Sequence, residues 1–393
     1  MYDEIQTSEP RPTSRSSESA GSVEVRRVRL DRLGTSNWFK PFSISEGRLQ
    51  AVWESWERKV GFSSLSEIAK DLQSKDQSES GGPTFPSFSL NRGTEDEVRG
   101  DKWVIEGGRQ GVIQVRNVEN GESRTLPMGS LSPLFRRFRY RGFMDVSSLS
   151  EYVPSDSLGI PADFSSLSRV RGKIRWGDWR SYLLSRTSNL MLVDRLDITA
   201  PGTCLVSYFS SPPRVWARVG TVIKGLPDEQ ARALSLWLNS TPGLLGYLAN
   251  QIPTRGGYMQ LGKYVYSDFL VPDVRALDAN VLQRASSVFS RVASVEFPRL
   301  MSQFAWLASG SGLSNRTLKG AENALGIPAD KWQTGFEPRE AMDEIAFDFL
   351  GLGPEERSDL KDWIYGSVLT ELVTLWETVQ QAGDGEESTP EAG

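Results

Sequence analysis

The stretch TCLVSYFSSPPRVWARVGTVIK, residues 203–224, decides the fold class. Two runs rich in Val, Tyr, Phe and Trp flank Ser211-Pro212-Pro213. β-Branched and aromatic side chains suit a pleated, half-buried surface, and proline interrupts it, so the stretch reads as strands separated by a turn. The same texture extends outward from about 101 to 274, in KWVIE (102–106), GVIQVRNV (111–118) and NLMLVDRLDI (189–198). Asn120-Gly121 is a hairpin turn signal. The expected body is a mostly antiparallel, twisted sheet or open barrel. Two short helices interrupt it, one over 228–238 and one capped at Thr241 with Pro242 at its first helical position.

After Asp278 the period changes to that of helices. Val281, Ala285, Val288 and Val292 share one face, as do Met342, Ile345, Ala346 and Phe349, with Gly351 as a stop. Leu360, Trp363, Ile364, Val368, Leu372 and Leu375 form one long apolar stripe, which ordinary helix packing explains. Toward the N-terminus, Ser45 is expected to cap a helix through Lys59, with Leu49, Val52, Trp53 and Trp56 on one face. Ser64 and Glu67 form a capping box opening a second helix. Residues 23–30 suggest a strand and 74–86 a loop. The division is therefore 1–22 as a disordered lead, 23–100 as a small α+β region with a linker and 101–275 as a β-rich module. Residues 276–376 follow as a helical region and 377–393 as an acidic disordered tail. The fold class is α+β.

Composition removes whole classes of function. The chain has 393 residues, no histidine and one cysteine, Cys204. Ser-His-Asp and Cys-His catalysis lack their proton carrier, Cys/His zinc sites have no ligands, and there is no intrachain disulfide partner. No apolar run approaches the 18 or so residues that a membrane helix needs. The polar start MYDEIQTSEPRPTSRSSESAGS carries no apolar core of a secretory signal. A cytoplasmic protein is expected. Remaining chemistry rests on carboxylates, Lys, Tyr, Ser or a bound cofactor.

Charge is uneven along the chain. Net charge is −5, yet residues 377–393 hold five acids and no base, so the rest balances to zero. Between Arg136 and Arg186 ten bases face five acids. Arg136, Arg137, Arg139 and Arg141 flank Phe138 and Tyr140, and Arg169, Arg171, Lys173 and Arg175 alternate beside Trp176 and Trp179. Such alternation puts cations on one strand face, which fits either a phosphate track or an edge strand charged against aggregation. Two other strings read as turns. Ser211-Pro212-Pro213-Arg214 lacks the aromatic fourth residue that stacks on a flipped base in amino-group DNA methyltransferases. Gly351-Leu352-Gly353 ends a helix and does not follow a strand. The carboxylate pairs Asp343/Glu344 and Glu95/Asp96 leave a carboxylate-based hydrolase as a minor alternative.

The segment ALSLWLNSTPGLLGYLANQIPTRGGYMQLGKYVYSDFLVPDV, residues 233–274, resembles the C-terminal region of adenine-specific DNA methyltransferases of bacterial restriction–modification and phage-defence systems. The matching residues are 238–243 (LNSTPG), 254–261 (TRGGYMQL) and 270–273 (LVPD). Arg339, Met342, Asp343 and the Leu-Gly-Leu at 350–352 resemble the helical tail of the same enzymes. The likeness covers about 196–375. It implies a target-recognition region that grips and reads duplex DNA. The chain lacks the glycine-rich cofactor loop and the Pro-Pro-aromatic motif of that family. The resemblance therefore implies no cofactor in this chain, with S-adenosylmethionine on a separate methyltransferase catalytic subunit.

The side chains suit that role on their own chemistry. Gly256 and Gly257 let backbone approach a partner, and Arg255 and Gln260 can make bidentate base-edge contacts. Thr254, Tyr258 and Lys263 suit phosphate. A glycine-rich hairpin with Arg255 in an internal ion pair is the structural alternative, and a scaffold that touches no DNA is the functional one.

Overall fold

The computed structural model describes residues 44–386 other than 70, 74–87, 90–102, 110, 118–119, 136–140, 155–182, 194, 217–219, 251, 254–258, 262–265, 267–268 and 311. The expected lead, the strand at 23–30 and the loop at 74–86 lie outside the described residues. The chain starts with α1 (Gly47–Trp56), β1 (Phe62–Ser64), the single turn α2 (Leu65–Ile68), β2 (Asp71–Gln73) and β3 (Phe88–Ser89). Next come β4 (Trp103–Arg109), β5 (Val112–Asn117), β6 (Ser123–Pro127), β7 (Leu131–Phe135) and β8 (Glu151–Pro154). They are followed by β9 (Thr187–Val193), β10 (Arg195–Leu196), β11 (Ser207–Trp216) and β12 (Gly220–Lys224). Helices α3 (Asp228–Asn239) and α4 (Thr241–Asn250) precede the short β13 (Ile252–Pro253), β14 (Met259–Gln260) and β15 (Leu270–Pro272). The chain closes with α5 (Ala279–Val292), α6 (Leu300–Leu307), α7 (Asn315–Leu325), α8 (Glu337–Phe349) and α9 (Pro354–Glu386).

This is the expected α+β architecture with a helical C-terminal region. The strands of the large sheet run in the order β2-β12-β9-β11-β7-β8-β3-β4-β5-β6. Its pairs are antiparallel except β7 with β11 and β3 with β4. The Asn120-Gly121 turn joins β5 to β6 as a hairpin, with Arg116 opposite Ser123 and Gly121 at φ +73°. That left-handed conformation is one glycine adopts without strain.

Three local expectations are corrected. Ser211-Pro212-Pro213 does not separate two strands. It lies within β11, where the register against β9 slips between Phe209 and Arg214. Prolines donate no ladder hydrogen bond, so the segment bulges, while Arg214 ties the strand back beyond it. Helix α1 is capped by Glu46, whose carboxylate accepts from the Arg48 and Leu49 amides, not by Ser45. It ends at Trp56 instead of Lys59, whose ammonium donates to the Leu350 carbonyl at 2.8 Å. Helix α4 is capped by Ser240, whose hydroxyl accepts from the Gly243 amide at 3.2 Å. The Ser64–Glu67 capping box forms as expected, although α2 is one turn long.

One core of buried side chains runs through α1, α2, strands β9, β11 and β12 and the helices from α3 to α9. Trp53, Trp216, Trp237, Tyr208 and Phe209 are among its fully buried members. A second, small cluster of Ile105, Ile113, Val115, Leu126 and Leu131 backs the β4–β6 meander. Helix α9 continues to Glu386, into the stretch expected to form a disordered tail, and Arg316 meets Glu377 there at 2.7 Å. Among the described residues no helix is long and apolar enough to cross a membrane.

Candidate nucleic-acid interface

The expected DNA-contacting segment begins where α3 turns into α4. The apolar run of α3 buries Ala233, Leu234, Leu236, Trp237 and Leu238, and Asn239 is buried with them. An amide inside a core must find partners for both its donor and its acceptor. Asn239 Oδ1 accepts from the Val206 and Ser207 amides at 2.9 and 3.1 Å. Its Nδ2 donates to the Ser207 and Ser235 carbonyls at 2.9 and 3.1 Å. The side chain thus acts as a backbone substitute for the incoming end of β11.

Two residues on, Thr241 makes a second buried contact. Its amide donates to Asp343 Oδ1 at 2.6 Å and its hydroxyl to Asp343 Oδ2 at 2.7 Å. Asp343 is on α8, where Arg339 lies one turn before it and is also buried. Arg339 Nε donates to Gln303 Oε1 at 2.8 Å, and its guanidinium stands over the Phe304 ring at 4.8 Å. Gln303 in turn donates to the Cys204 carbonyl at 2.9 Å and the Pro298 carbonyl at 2.6 Å. Backbone from Cys204 to Ser207 thus anchors a ring of buried polar groups around the α3–α4 junction, in which Arg339 reaches Asp343 by charge alone, without a hydrogen bond. Burial pushes the Asp343 carboxyl above the ordinary range, against the opposing pull of Arg339 and Thr241. Burial also brings Arg339 down to about 10. Burial first, and the nearby Asp343 carboxylate after it, push the Tyr365 phenol well above its ordinary value.

Beyond the junction all ten residues of α4 are buried. The helix leads, after residue 251, into β13, which pairs antiparallel with β14. Ile252 opposes Gln260 and Pro253 opposes Met259, and β14 pairs on its other side with β10, placing Arg195 opposite Gln260. Residues 254–258 connect these two strands. Thr254, Arg255, Gly256, Gly257 and Tyr258 lie outside the described residues, as does Lys263, and Gln260 is described by its backbone alone.

The two basic rows fare similarly. Arg136, Arg137 and Arg139, and Arg169, Arg171, Lys173 and Arg175, lie outside the described residues. Arg141 is described. It follows β7 in an irregular segment and pairs with Glu151 at 2.9 Å, both side chains being largely buried.

Arg214, fourth residue of the Ser-Pro-Pro string, is buried. It donates to the carbonyls of Leu134 at 2.7 Å, Ser147 at 2.9 Å and Leu149 at 2.8 Å. Burial lowers its pKa. The string is a structural bulge pinned by an arginine. The carboxylates Asp343 and Glu344 point to different surroundings, since Glu344 pairs with Arg357 at 3.0 Å and with Lys361. Gly351, at φ +62°, ends α8 as expected. Among the described residues no group of three or more acidic or cysteine side chains is placed to hold a metal ion. The ring around Asn239 and Asp343 was not anticipated as a unit. Its signal was polar Asn-Ser-Thr embedded in an otherwise apolar stretch, and an Arg and an Asp one turn apart on the buried stripe of α8.

No protein-family model matches the chain, and no curated protein matches it. Among solved structures, the type IIG restriction endonuclease BpuSI is similar with a TM-score of 0.40 and 12% identity, over 79% of this chain and 34% of that one. The chain spans about a third of that enzyme's length.

Proposed function

We propose that this chain is the DNA-recognition part of an adenine-specific DNA methyltransferase system. It acts with a separate chain that holds S-adenosylmethionine and transfers the methyl group. One observation carries the reading. Two of the separated pieces of sequence that resemble such enzymes, 238–243 and the set Arg339, Met342 and Asp343, meet in a single buried network through Thr241 and Asp343. A likeness scattered by chance over the chain has no reason to converge there. The same junction leads through α4 to the strands that flank Thr254–Tyr258.

In this reading Arg255 and Gln260 touch base edges, and Thr254, Tyr258 and Lys263 touch phosphate. Arg136, Arg137, Arg139, Arg169, Arg171, Lys173 and Arg175 follow the backbone, with Arg141 braced beside them by Glu151. The test is fluorescence anisotropy of the full chain on random duplex across a salt series. Binding should weaken steeply with salt, because each neutralised phosphate releases counterions. Neutralising Arg137 and Arg139 together should reduce the log–log salt slope by about two. Replacing Arg255 and Gln260 should relax sequence preference. Absence of binding at low salt would falsify the proposal and favour a scaffold that makes no DNA contact.

A further inference from the structure

We infer that Thr241 and Asp343 form a positioning clamp that sets the tilt of α4, and through it the aim of the β13–β14 hairpin toward DNA. The inference rests on the recognition reading above and assigns a role to residues that touch no nucleic acid.

Helix α4 has no freedom of its own to adjust. Each of its residues is buried, and it is seated by close approaches at two glycines. A Cβ on Gly243 would fall 1.9 Å from the Trp237 carbonyl oxygen, and one on Gly246 would fall 2.5 Å from the Trp53 ring. Its C-terminal residue, Asn250, turns inward and bonds the Gly246 carbonyl at 2.9 Å. The helix is therefore a rigid rod, fixed at its start by the carboxylate and joined at its end to β13. Ten residues of helix span about 15 Å, so a tilt of about 10° moves the far end by about 2.6 Å. That displacement approaches a full hydrogen-bond length, enough to take a side chain off a base edge.

Stability alone does not require this chemistry. A buried ionic group is commonly no better for stability than a well-packed apolar replacement, and in some proteins such a group is kept because it specifies one geometry over its neighbours. Both Asp343 oxygens are used on the first residue of α4, one for the amide and one for the hydroxyl. Two bonds from a single planar group fix direction as well as distance. Arg339, tied through Gln303 to the Cys204 carbonyl at the strand end, lies near the carboxylate and acts on it by charge alone.

The test selects bound sequences from a randomised duplex pool of about 20 base pairs, using the full chain and matched folded fractions. Wild type should enrich a motif. Thr241→Val, which loses the hydroxyl bond, should reduce enrichment of that motif about tenfold, the loss of one good base contact, while affinity for the unselected pool stays the same. Thr241→Ser restores the hydroxyl and should restore the motif. Gly320→Ala, whose new Cβ would fall 2.3 Å from the Val373 side chain where α7 meets α9, lies outside this network and should lower the melting temperature while leaving the motif intact. If Thr241→Val does not fold, Thr241→Ala takes its place with the same expectation. An unchanged motif in a folded Thr241 variant overturns the clamp and leaves DNA recognition standing. Failure of wild type to enrich any sequence overturns the recognition reading and the clamp with it.

Discussion

Two helices in this protein begin against a buried carboxylate borrowed from a distant part of the chain, and the two cases differ in the helix start it holds, since Ser45 is exposed and Thr241 is buried. At α1 the acceptor is Glu371 on α9. Its oxygens accept from the Ser45 amide at 3.0 Å, the Ser45 hydroxyl at 2.5 Å and the Glu46 amide at 3.0 Å. Arg48 reinforces the contact by lying over the Trp363 ring at 3.7 Å. At α4 the acceptor is Asp343, as buried as Glu371 but with the Arg339 charge near it. In both places a carboxylate meets the amides of a helix start and the positive end of a helix dipole. The difference is what surrounds it. Glu371 meets neutral donors at a helix start that reaches the surface, whereas Asp343 sits in a polar ring that links α3, α4, α6, α8 and the start of β11. The first device attaches a helix to the body, and the second fixes the geometry inside it.

The comparison breaks most readily at Asp343. Asp343→Ala leaves Arg339 buried without its counter-charge and strips Thr241 of two bonds, so unfolding free energy should fall by about 3 kcal/mol or more. Urea denaturation measures it. A loss below about 1 kcal/mol would mean that Arg339 is balanced by its carbonyl and ring contacts alone. Next in size is Gly246→Ala, at the place where α1 and α4 touch. The new methyl meets the Trp53 ring at 2.5 Å and Phe269 at 2.9 Å. Overpacking of this kind costs about 1–3 kcal/mol. Little change in the urea midpoint would show that α1 can slide on α4 and that only the carboxylates define their arrangement.

These two sites also mark how far the sequence could be read. The stripes on α8 and α9 were legible because a helix repeats its buried face every 3.6 residues, whatever it packs against. The Asn120-Gly121 hairpin and the Ser64 capping box were legible because their chemistry is complete within four residues. The true caps of α1 and α4 were not. Ser45 and Thr241 are good capping residues, but Glu371 and Asp343 engage them, and the caps pass to Glu46 and Ser240. That exchange depends on residues 326 and 102 positions away in the chain. The bulge in β11 was hidden for the same reason, since Arg214 is held by carbonyls from β7 and the loop after Met144. Of the expected recognition residues, the strands that bracket 254–258 are described and Arg141 is found paired, while the remaining side chains lie outside the described residues.

A smaller effect tests the start of α1. Glu371→Gln keeps one acceptor oxygen and removes the charge, so the Ser45 and Glu46 donors lose their charge-assisted bonds. A cost of about 1–2 kcal/mol is expected, in the range for hydrogen bonds to charged groups. Amide hydrogen exchange should localise it, with α1 amides exchanging faster and α4 amides unchanged. Equal acceleration in both helices would mean that the two carboxylates belong to one cooperative unit.

The smallest expected effect sharpens the contrast through pH. Asp273 and Glu344 titrate below their ordinary ranges, Asp273 chiefly through its hydrogen bond to Arg275 and Glu344 through Lys361 and Arg357 despite partial burial. Their contribution is present above the unfolded values, about 3.9 and 4.3, and is lost as pH falls through the folded ones. Asp343 has the opposite sign. Its folded pKa is raised, so the stability linked to its protonation is full below the unfolded value and is lost as pH rises through the folded one. On acidification Asp343 therefore offsets part of what the surface carboxylates lose. Urea midpoints measured from pH 7 downward should fall more steeply for Asp343→Asn than for wild type, and less steeply for Glu344→Gln. Parallel curves for Asp343→Asn and wild type would mean that Arg339 holds the Asp343 carboxylate at an ordinary pKa despite its burial, and the contrast in depth between the two helix starts would carry no electrostatic consequence.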